Sequence, residues 1–196
     1  MSIQTDQFYV DKILKGDTKA FAVLVNRYRN MVFSLTMQVL KNREEAEEIS
    51  QDTFVKIYKH LNKFKGDSKF STWVYRIAYN ACLDRIKLNN KHKNTIELNQ
   101  FAENQIGTLE DAFDIMDRND RELAVKNCIQ QMPDDYGVLI TLFYFEELSL
   151  SEISKVMGLS TNNVKVKMYR ARKRLATILM TTLEPTILEN YGPKSR

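Results

Sequence analysis

Residues 148–175 read LSLSEISKVMGLSTNNVKVKMYRARKRL, and the class of the whole chain turns on how this stretch folds. Ser149 can cap a first helix, and Glu152 three residues on completes a capping box. Leu150, Ile153, Val156 and Met157 recur at helical spacing, so this helix buries one face. Gly158 suits the left-handed backbone of a tight turn. Leu159 plugs the corner, and Ser160 or Thr161 restarts the chain as a second helix. There Val164, Met168, Ala171, Leu175 and Leu179 line one side. The other side carries Asn162, Val166, Tyr169, Arg170 and Lys173, flanked by Lys165 and Lys167. Two helices joined by a glycine turn, the second basic and opening on Thr161, Asn162 and Asn163, form the pattern of a helix-turn-helix that offers its second helix to a DNA major groove.

Charge separates this reading from a plain solvated hairpin. From Ser160 to Leu183 there are six basic residues (Lys165, Lys167, Arg170, Arg172, Lys173 and Arg174) and no acid. A helix that only needs solubility mixes signs for i,i+4 pairing, whereas one that meets phosphates does not. The net charge of +4 conceals the same bias along the chain. Residues 1–100 hold 17 basic and 11 acidic side chains, residues 101–160 hold 4 and 12, and residues 161–196 hold 8 and 2. Two basic ends separated by an acidic middle predict two separate nucleic-acid contacts.

With 196 residues, 43% of them hydrophobic, the chain has material for one large core or two small ones. Six Gly and three Pro leave long 3.6-period runs uninterrupted, so the class is all-α. Cys82 and Cys128 sit among apolar neighbours in helical patterns, as buried thiols of a reducing cytoplasm do, with no disulfide or metal role. The start carries no basic-then-apolar leader and no run approaches membrane-spanning length, so a soluble cytoplasmic protein is expected. No catalytic triad pattern and no glycine-rich phosphate loop occurs, so no enzyme and no cofactor is read.

From the N-terminus, Thr5–Lys15 is predicted helical and closed by Gly16, and Asp17 caps a longer helix over Thr18–Lys41. Its inner face is Phe21, Leu24, Val25, Tyr28, Val32, Leu35, Thr36 and Val39. Asn42 breaks it. A third helix over Arg43–Leu61 has Ala46, Ile49, Phe54, Ile57, Tyr58 and Leu61 as its apolar positions. The acids Glu44, Glu45, Glu47, Glu48 and Asp52 suit the positive end of that helix, and the weaker alternative is a divalent-metal cluster. After the loop Asn62–Phe70, a helix over Ser71–Asn89 has the stripe Val74, Ile77, Ala78, Ala81 and Cys82 inside, with Tyr75, Arg76, Tyr79, Asn80 and Arg85 elsewhere. Phe64, Phe70 and Trp73, interleaved with Lys63, Lys65, Lys69 and Arg76, fit either a core or a platform for stacking unpaired bases. Further on, Arg118–Gln131 should bury Leu123, Ala124, Cys128 and Ile129. Pro133 ends that helix, and Asp134–Glu146 follows with Val138, Leu139, Leu142, Phe143 and Phe145.

The stretch EEAEEISQDTFVKIYKHLNKFKGDSKFSTWVYRIAYNACLD resembles the second conserved region of bacterial sigma factors, and the helix-turn-helix ending in YRARKRL resembles their fourth. Nothing resembles the first or third conserved domains, a reduced layout similar to that of the extracytoplasmic-function group. The resemblance covers about 8–88 and 118–180. It implies two small helical domains, 1–90 and 118–183, joined by an acidic linker over 91–117 and followed by a tail over 184–196. Glu48, Gln51, Asp52 and Phe54 would grip the β′ clamp helices of core RNA polymerase, whose β flap is the other docking point. The loop residues Phe64, Lys65, Gly66, Asp67, Ser68 and Phe70 would capture a base of the non-template −10 strand, with Trp73, Arg76 and Asn80 beside them. Thr161, Asn162, Asn163, Lys165, Val166, Lys167, Tyr169, Arg170, Arg172 and Arg174 would meet the −35 duplex. Val166 stands where the family commonly has a polar residue, and Glu48 where it often has Asp. An anti-sigma factor is a further implied partner.

Between Lys93 and Arg118 the linker holds six acids (Glu97, Glu103, Glu110, Asp111, Asp114 and Asp117) and no base. It reads either as a plain tether or, by resemblance, as a thread through the polymerase RNA channel. Promoter elements about 17 base pairs apart are separated by roughly 58 Å at about 3.4 Å per pair, and some 28 extended residues reach roughly 90 Å. A helix-turn-helix regulator that never docks on polymerase is the alternative of similar class. A metal-dependent nucleic-acid hydrolase built on the glutamates at 44–48 is the weaker one.

Overall fold

The computed structural model describes residues 4–91, 118–133 and 135–191. The linker reading falls almost wholly outside them, as does the buried position expected for Ala124. The described α-helices run in chain order as α1 (Asp6–Leu14), α2 (Phe21–Leu40), α3 (Arg43–His60), α4 (Phe70–Lys91), α5 (Arg118–Gln131), α6 (Tyr136–Tyr144), α7 (Leu150–Met157) and α8 (Thr161–Tyr191). Short 3-10 turns at Thr18–Ala20 and Leu61–Lys63 open α2 and close α3. Two compact units can be distinguished. The first gathers α1–α4 and α7, and the second gathers α5, α6 and nearly all of α8.

Helix ends follow local chemistry. Thr5 Oγ1 accepts the Phe8 amide, Asp17 Oδ1 the Ala20 amide, and Asn42 Oδ1 the Glu45 amide, so three side chains satisfy donors that a helix start leaves orphaned. Asn42 therefore starts α3 as much as it ends α2. The break itself falls on Lys41, which closes α2 in the left-handed region at φ 52°.

In the first unit α2 packs on α3 and α4, and α3 packs on α4. Leu24, Val32 and Leu35 of α2, Ala46, Ile49 and Ile57 of α3, and Val74, Ala78, Ala81 and Cys82 of α4 are buried. Each large side chain removed from water in this way contributes roughly 1.5–3 kcal/mol. One polar seam crosses the α2–α3 contact. The Thr36 hydroxyl lies 2.8 Å from that of Ser50, which donates to the Ala46 carbonyl at 2.6 Å. Burial of those hydroxyls is tolerated because each has a partner.

Three expectations are revised by packing. Tyr75 and Tyr79 are buried although they lie off the apolar stripe of α4, and Tyr58 is exposed. Tyr75 and Tyr79 share a helical stripe with Thr72, which is buried and donates to Glu152 of α7 at 3.5 Å. Helix α7 packs on α4, so a surface that residues 1–90 alone would leave wet is covered. In the second unit Cys128, Ile129, Val138, Leu139 and Leu142 are buried as expected, and Met132 joins them, but Leu123 is 60% exposed. Helix α8 continues past the expected boundary at 183 to Tyr191.

The capping box of α7 is formed as read. Ser149 Oγ accepts the Glu152 amide at 3.2 Å, and Glu152 Oε2 accepts the Ser149 amide at 2.9 Å. Gly158 closes the helix at φ 67°. The Ser149 amide, chiefly, holds the Glu152 carboxyl below the ordinary glutamate range; burial opposes it, and the Ser149 hydroxyl, Lys69 and Thr72 assist. A carboxyl whose folded value lies below its unfolded one stabilises fully above the unfolded value, and that stabilisation is lost as pH falls through the folded value. Glu152→Gln should therefore lower stability at neutral pH by about 0.3–1 kcal/mol, the usual worth of a carboxylate in a first turn. The gap to wild type should close as the solution is acidified through the carboxylate range. Denaturant unfolding at several pH values checks this, and a gap that stays constant into acid contradicts it.

Candidate nucleic-acid interface

The loop between α3 and α4 stands on aromatic rings. The 3-10 turn Leu61–Lys63 delivers Phe64 in an extended conformation, with its amide bonded to the Leu61 carbonyl at 3.1 Å. Gly66 takes φ 79°, a left-handed turn that a side chain would strain. Phe70 then opens α4. The Phe64 ring meets Phe70 edge-on at 5.1 Å and Trp73 at 5.5 Å, and Phe70 lies 5.6 Å from Trp73. Tyr28 of α2 closes the group at 5.5 Å from Phe70.

The alternatives of core and stacking platform thus divide within the cluster. Phe70 is only 4% exposed, so the direct base contact expected of it is closed off, and it acts as the floor of the loop. Phe64 and Trp73 are half-buried and keep ring surface outside. Lys65, Gly66, Asp67 and Lys69 are exposed, and Ser68 is half-buried with its hydroxyl donating to the Lys69 carbonyl at 3.4 Å. On α4, Arg76 and Asn80 are exposed one turn apart, continuing outward from Trp73.

Of the α3 residues singled out, Glu48, Gln51 and Asp52 are exposed and Phe54 is half-buried. The neighbouring glutamates have separate partners. Glu48 is ion-paired with Arg85 of α4, whose hydrogen bond holds the Glu48 carboxyl below its ordinary range. Asn89 donates to Glu45 at 2.9 Å, and Arg43 to Glu47 at 2.9 Å. These acids therefore fan out and tie α3 to α4 or to their own turn. Among the described residues no group of three metal-binding side chains converges.

In the second unit α8 presents two chemically different sides. Val164, Met168 and Ala171 are buried, and Leu175 is half-buried. Thr161, Asn162, Asn163, Lys165, Arg170 and Arg172 are exposed, Val166 is 52% and Tyr169 61% exposed, and Arg174 is half-buried. The Lys173 ammonium sits 4.9 Å from the Tyr169 ring centroid. Two of the cations expected to meet DNA are otherwise engaged. Lys167 donates to both carboxylate oxygens of Asp135 at 3.0 and 2.7 Å and lies 5.7 Å from the Tyr136 ring centroid. Arg172 stacks its guanidinium 5.4 Å from Phe143 and 5.5 Å from Tyr144. Lys167 is thereby a tether between α8 and the start of α6.

The residues that the sequence did not single out are Asp6, Gln7 and Arg27, which lie on α1 and α2 near the aromatic group; no local pattern marks them. Both cysteines are buried free thiols. Burial pushes the Cys82 thiol up to about 12 and raises that of Cys128, so neither carries the thiolate that reactivity needs. No helix among the described residues is long and apolar enough to cross a membrane.

Residues 24–92 match the family model for sigma-70 region 2, and residues 122–175 that for sigma-70 region 4. The chain is 32% identical over 186 residues to the RNA polymerase sigma-H factor of Pseudomonas aeruginosa, covering 92% of this chain and 96% of that one. It is 35% identical over 179 residues to the ECF RNA polymerase sigma factor SigW of Bacillus subtilis, with 85% and 92% covered. Among solved structures, CnrH in complex with the cytosolic domain of CnrY shares the fold at TM-score 0.60 and 22% identity, over 91% of this chain and 99% of that one. The sigma factor RpoE of Bartonella quintana, in complex with the anti-sigma factor NepR, shares it at TM-score 0.61 and 20% identity, over 83% and 98%. The exposed basic helix, the loop on its aromatic floor and the acid-rich α3 thus occur in a chain that belongs to the sigma-70 family, in its extracytoplasmic-function group, and is an alternative sigma factor of RNA polymerase.

Proposed function

We propose that the chain directs core RNA polymerase in the cytoplasm to a set of promoters and helps open them. Residues 1–90 serve polymerase docking and the −10 element, 118–183 serve the −35 element, and 91–117 link the two. The loop carries this reading: Lys65, Asp67 and Lys69 stand exposed over a buried Phe70. A base is read on its pairing edge only after leaving the stack, at an unstacking cost of a few kcal/mol, and stacking on an aromatic ring returns about 1–3 kcal/mol. Phe64 and Trp73 supply ring surface, the lysines hold the backbone, and Asp67 and Ser68 meet a base edge. Gln51 and Asp52, with Glu48 and Phe54, form the contact with the β′ clamp helices. The exposed Leu123, Tyr144 and Phe145 of the second unit offer apolar area to the β flap. An anti-sigma factor is a further partner.

Three outcomes test this reading. Grafting a different Lys65–Lys69 sequence into the loop should change the preferred −10 base and leave −35 preference intact. Permanganate reactivity of promoter thymines, with transcription from a −10 library, reads both. If opening and base preference are unaltered, strand capture belongs elsewhere.

Asp52→Lys should weaken core binding about tenfold or more, since reversing a charge against a complementary surface introduces repulsion. Melting should change little because Asp52 is exposed. A binding titration followed by run-off transcription decides, and unaltered core affinity would remove Asp52 from the docking contact.

On α8, Arg170→Ala should relax preference at one −35 position by about 1–3 kcal/mol. Lys165→Ala should weaken all sequences alike and flatten the salt slope by about one unit. Lys167→Ala should instead lower the melting temperature and move the salt slope by clearly less than Lys165→Ala. Identical behaviour of Lys165→Ala and Lys167→Ala would contradict the tether role.

A further inference from the structure

Helix α1 approaches the Lys65–Lys69 loop by two routes that the capture role leaves unused. The direct one is at Gly66, where a Cβ would come within 3.7 Å of Gln7 Oε1. The Gln7 amide is itself oriented, donating to Asp11 Oδ1 at 2.7 Å one turn along. The indirect route starts at Asp6, in the first turn of α1. Its Oδ2 accepts the Tyr28 hydroxyl at 2.5 Å, and its Oδ1 is ion-paired with Arg27. Arg27 also donates to the Gln4 carbonyl at 3.1 Å and lies 5.5 Å from the Tyr9 ring centroid. Tyr28 is buried, and its ring rests on Phe70, the floor of the loop. Two adjacent residues of α2 thus clasp the N-terminal turn of α1, and one of them is in ring contact with the residue on which the loop stands.

This arrangement exceeds what packing needs. An isolated nine-residue helix is marginal in water, and α1 buries only Val10 and Ile13 among its apolar residues. Its place is therefore fixed in large part by the polar clasp, and the placement of Gln7 beside Gly66 follows from it. Burial, assisted by the hydrogen bond to Asp6, raises the Tyr28 phenol well above its ordinary range, so the hydroxyl remains a donor at any physiological pH.

We propose that α1 is a positioning element for strand capture, with Asp6 and Tyr28 as its latch and Gln7 as the side chain that backs the loop at Gly66. None of the three needs to touch DNA: they set the shape in which Lys65–Lys69 meets the −10 strand. The inference rests on the capture role proposed for that loop, and its test separates the two.

Holoenzyme reconstituted from the full-length chain and core polymerase is titrated with −10 single-stranded DNA attached to a −35 duplex. Wild type is compared with Tyr28→Phe, which deletes the hydroxyl and keeps the ring on Phe70, with Gln7→Ala, and with a Lys65→Ala/Asp67→Ala loop variant. Tyr28→Phe is expected to weaken capture of the −10 strand about fivefold, the worth of one hydrogen bond. Core affinity and binding of an isolated −35 duplex should not move, which a merely structural defect would not spare. Gln7→Ala, on exposed surface, should weaken capture in the same selective way, and it decides the matter if Tyr28→Phe lowers the melting temperature. If the loop variant loses capture while the α1 variants keep it, the positioning role is overturned and the loop reading stands. If the loop variant also retains full capture, both fall.

Discussion

The loop between α3 and α4 is polar and open on one side and fixed on the other, and the fixed side is Phe70. Its ring is reached by Tyr28 from α2, by Phe64 from the end of the 3-10 turn after α3, and by Trp73 one turn up α4. Aromatic pairs at these separations are worth about 0.5–1.5 kcal/mol each beyond their area. Ordering a residue's backbone costs about 1–2 kcal/mol, so a loop with Lys65, Gly66, Asp67 and Lys69 exposed cannot fix itself. It borrows order from the meeting point of three helices, and any change in how α2, α3 and α4 meet is transmitted to it.

The α2–α3–α4 contact is accordingly held by more than apolar area. Among the described residues no buried side-chain polar atom lacks a partner. The Thr36–Ser50 pair links α2 to α3 across their contact, and each hydroxyl also lies within reach of a carbonyl of its own helix, Phe33 and Ala46. Outside, Arg85 and Asn89 of α4 hold Glu48 and Glu45 of α3. Those surface pairs contribute little to stability on their own. Their effect is on which carboxylates remain to meet a partner. Glu48 is exposed beside its Arg85 partner, as are Gln51 and Asp52 one turn further along α3, whereas Glu45 is half-buried.

What could be read from the sequence is what local spacing determines. Ser149 and Glu152, three residues apart, make the capping box that they spell, and Gly158 takes the left-handed turn. Val164, Met168 and Ala171 point inward as their period requires. What could not be read has its partner far along the chain. Tyr75 and Tyr79 look like surface residues until α7 arrives next to Thr72, and the Thr72–Glu152 bond spans 80 positions. The Asp6–Tyr28 bond spans 22 and the Lys167–Asp135 bond 32. No 3.6-residue period encodes such pairs. Leu123 differs for the opposite reason: an apolar residue at a helical spacing need not be interior, and its surface is outside.

The basic helix α8 shows why a charge count overstates a DNA contact. The slope of binding against salt follows the number of phosphates neutralised, not the number of cations present. Lys167 already has a carboxylate at 2.7 Å, so in meeting a phosphate it would exchange one anion for another and leave Asp135 without its partner. Arg172 keeps its charge, but its guanidinium lies against Phe143 and Tyr144, and this fixes the direction in which its N–H donors extend. Lys165 and Arg170 lie on the exposed side with Val166 and Tyr169. The six basic residues between Ser160 and Leu183 thus do different physical work. At least one secures the helix against α6, and those beside Tyr169 set its outward potential. Sequence composition detects the sum of these effects, and only the positions of Asp135, Phe143 and Tyr144 divide it.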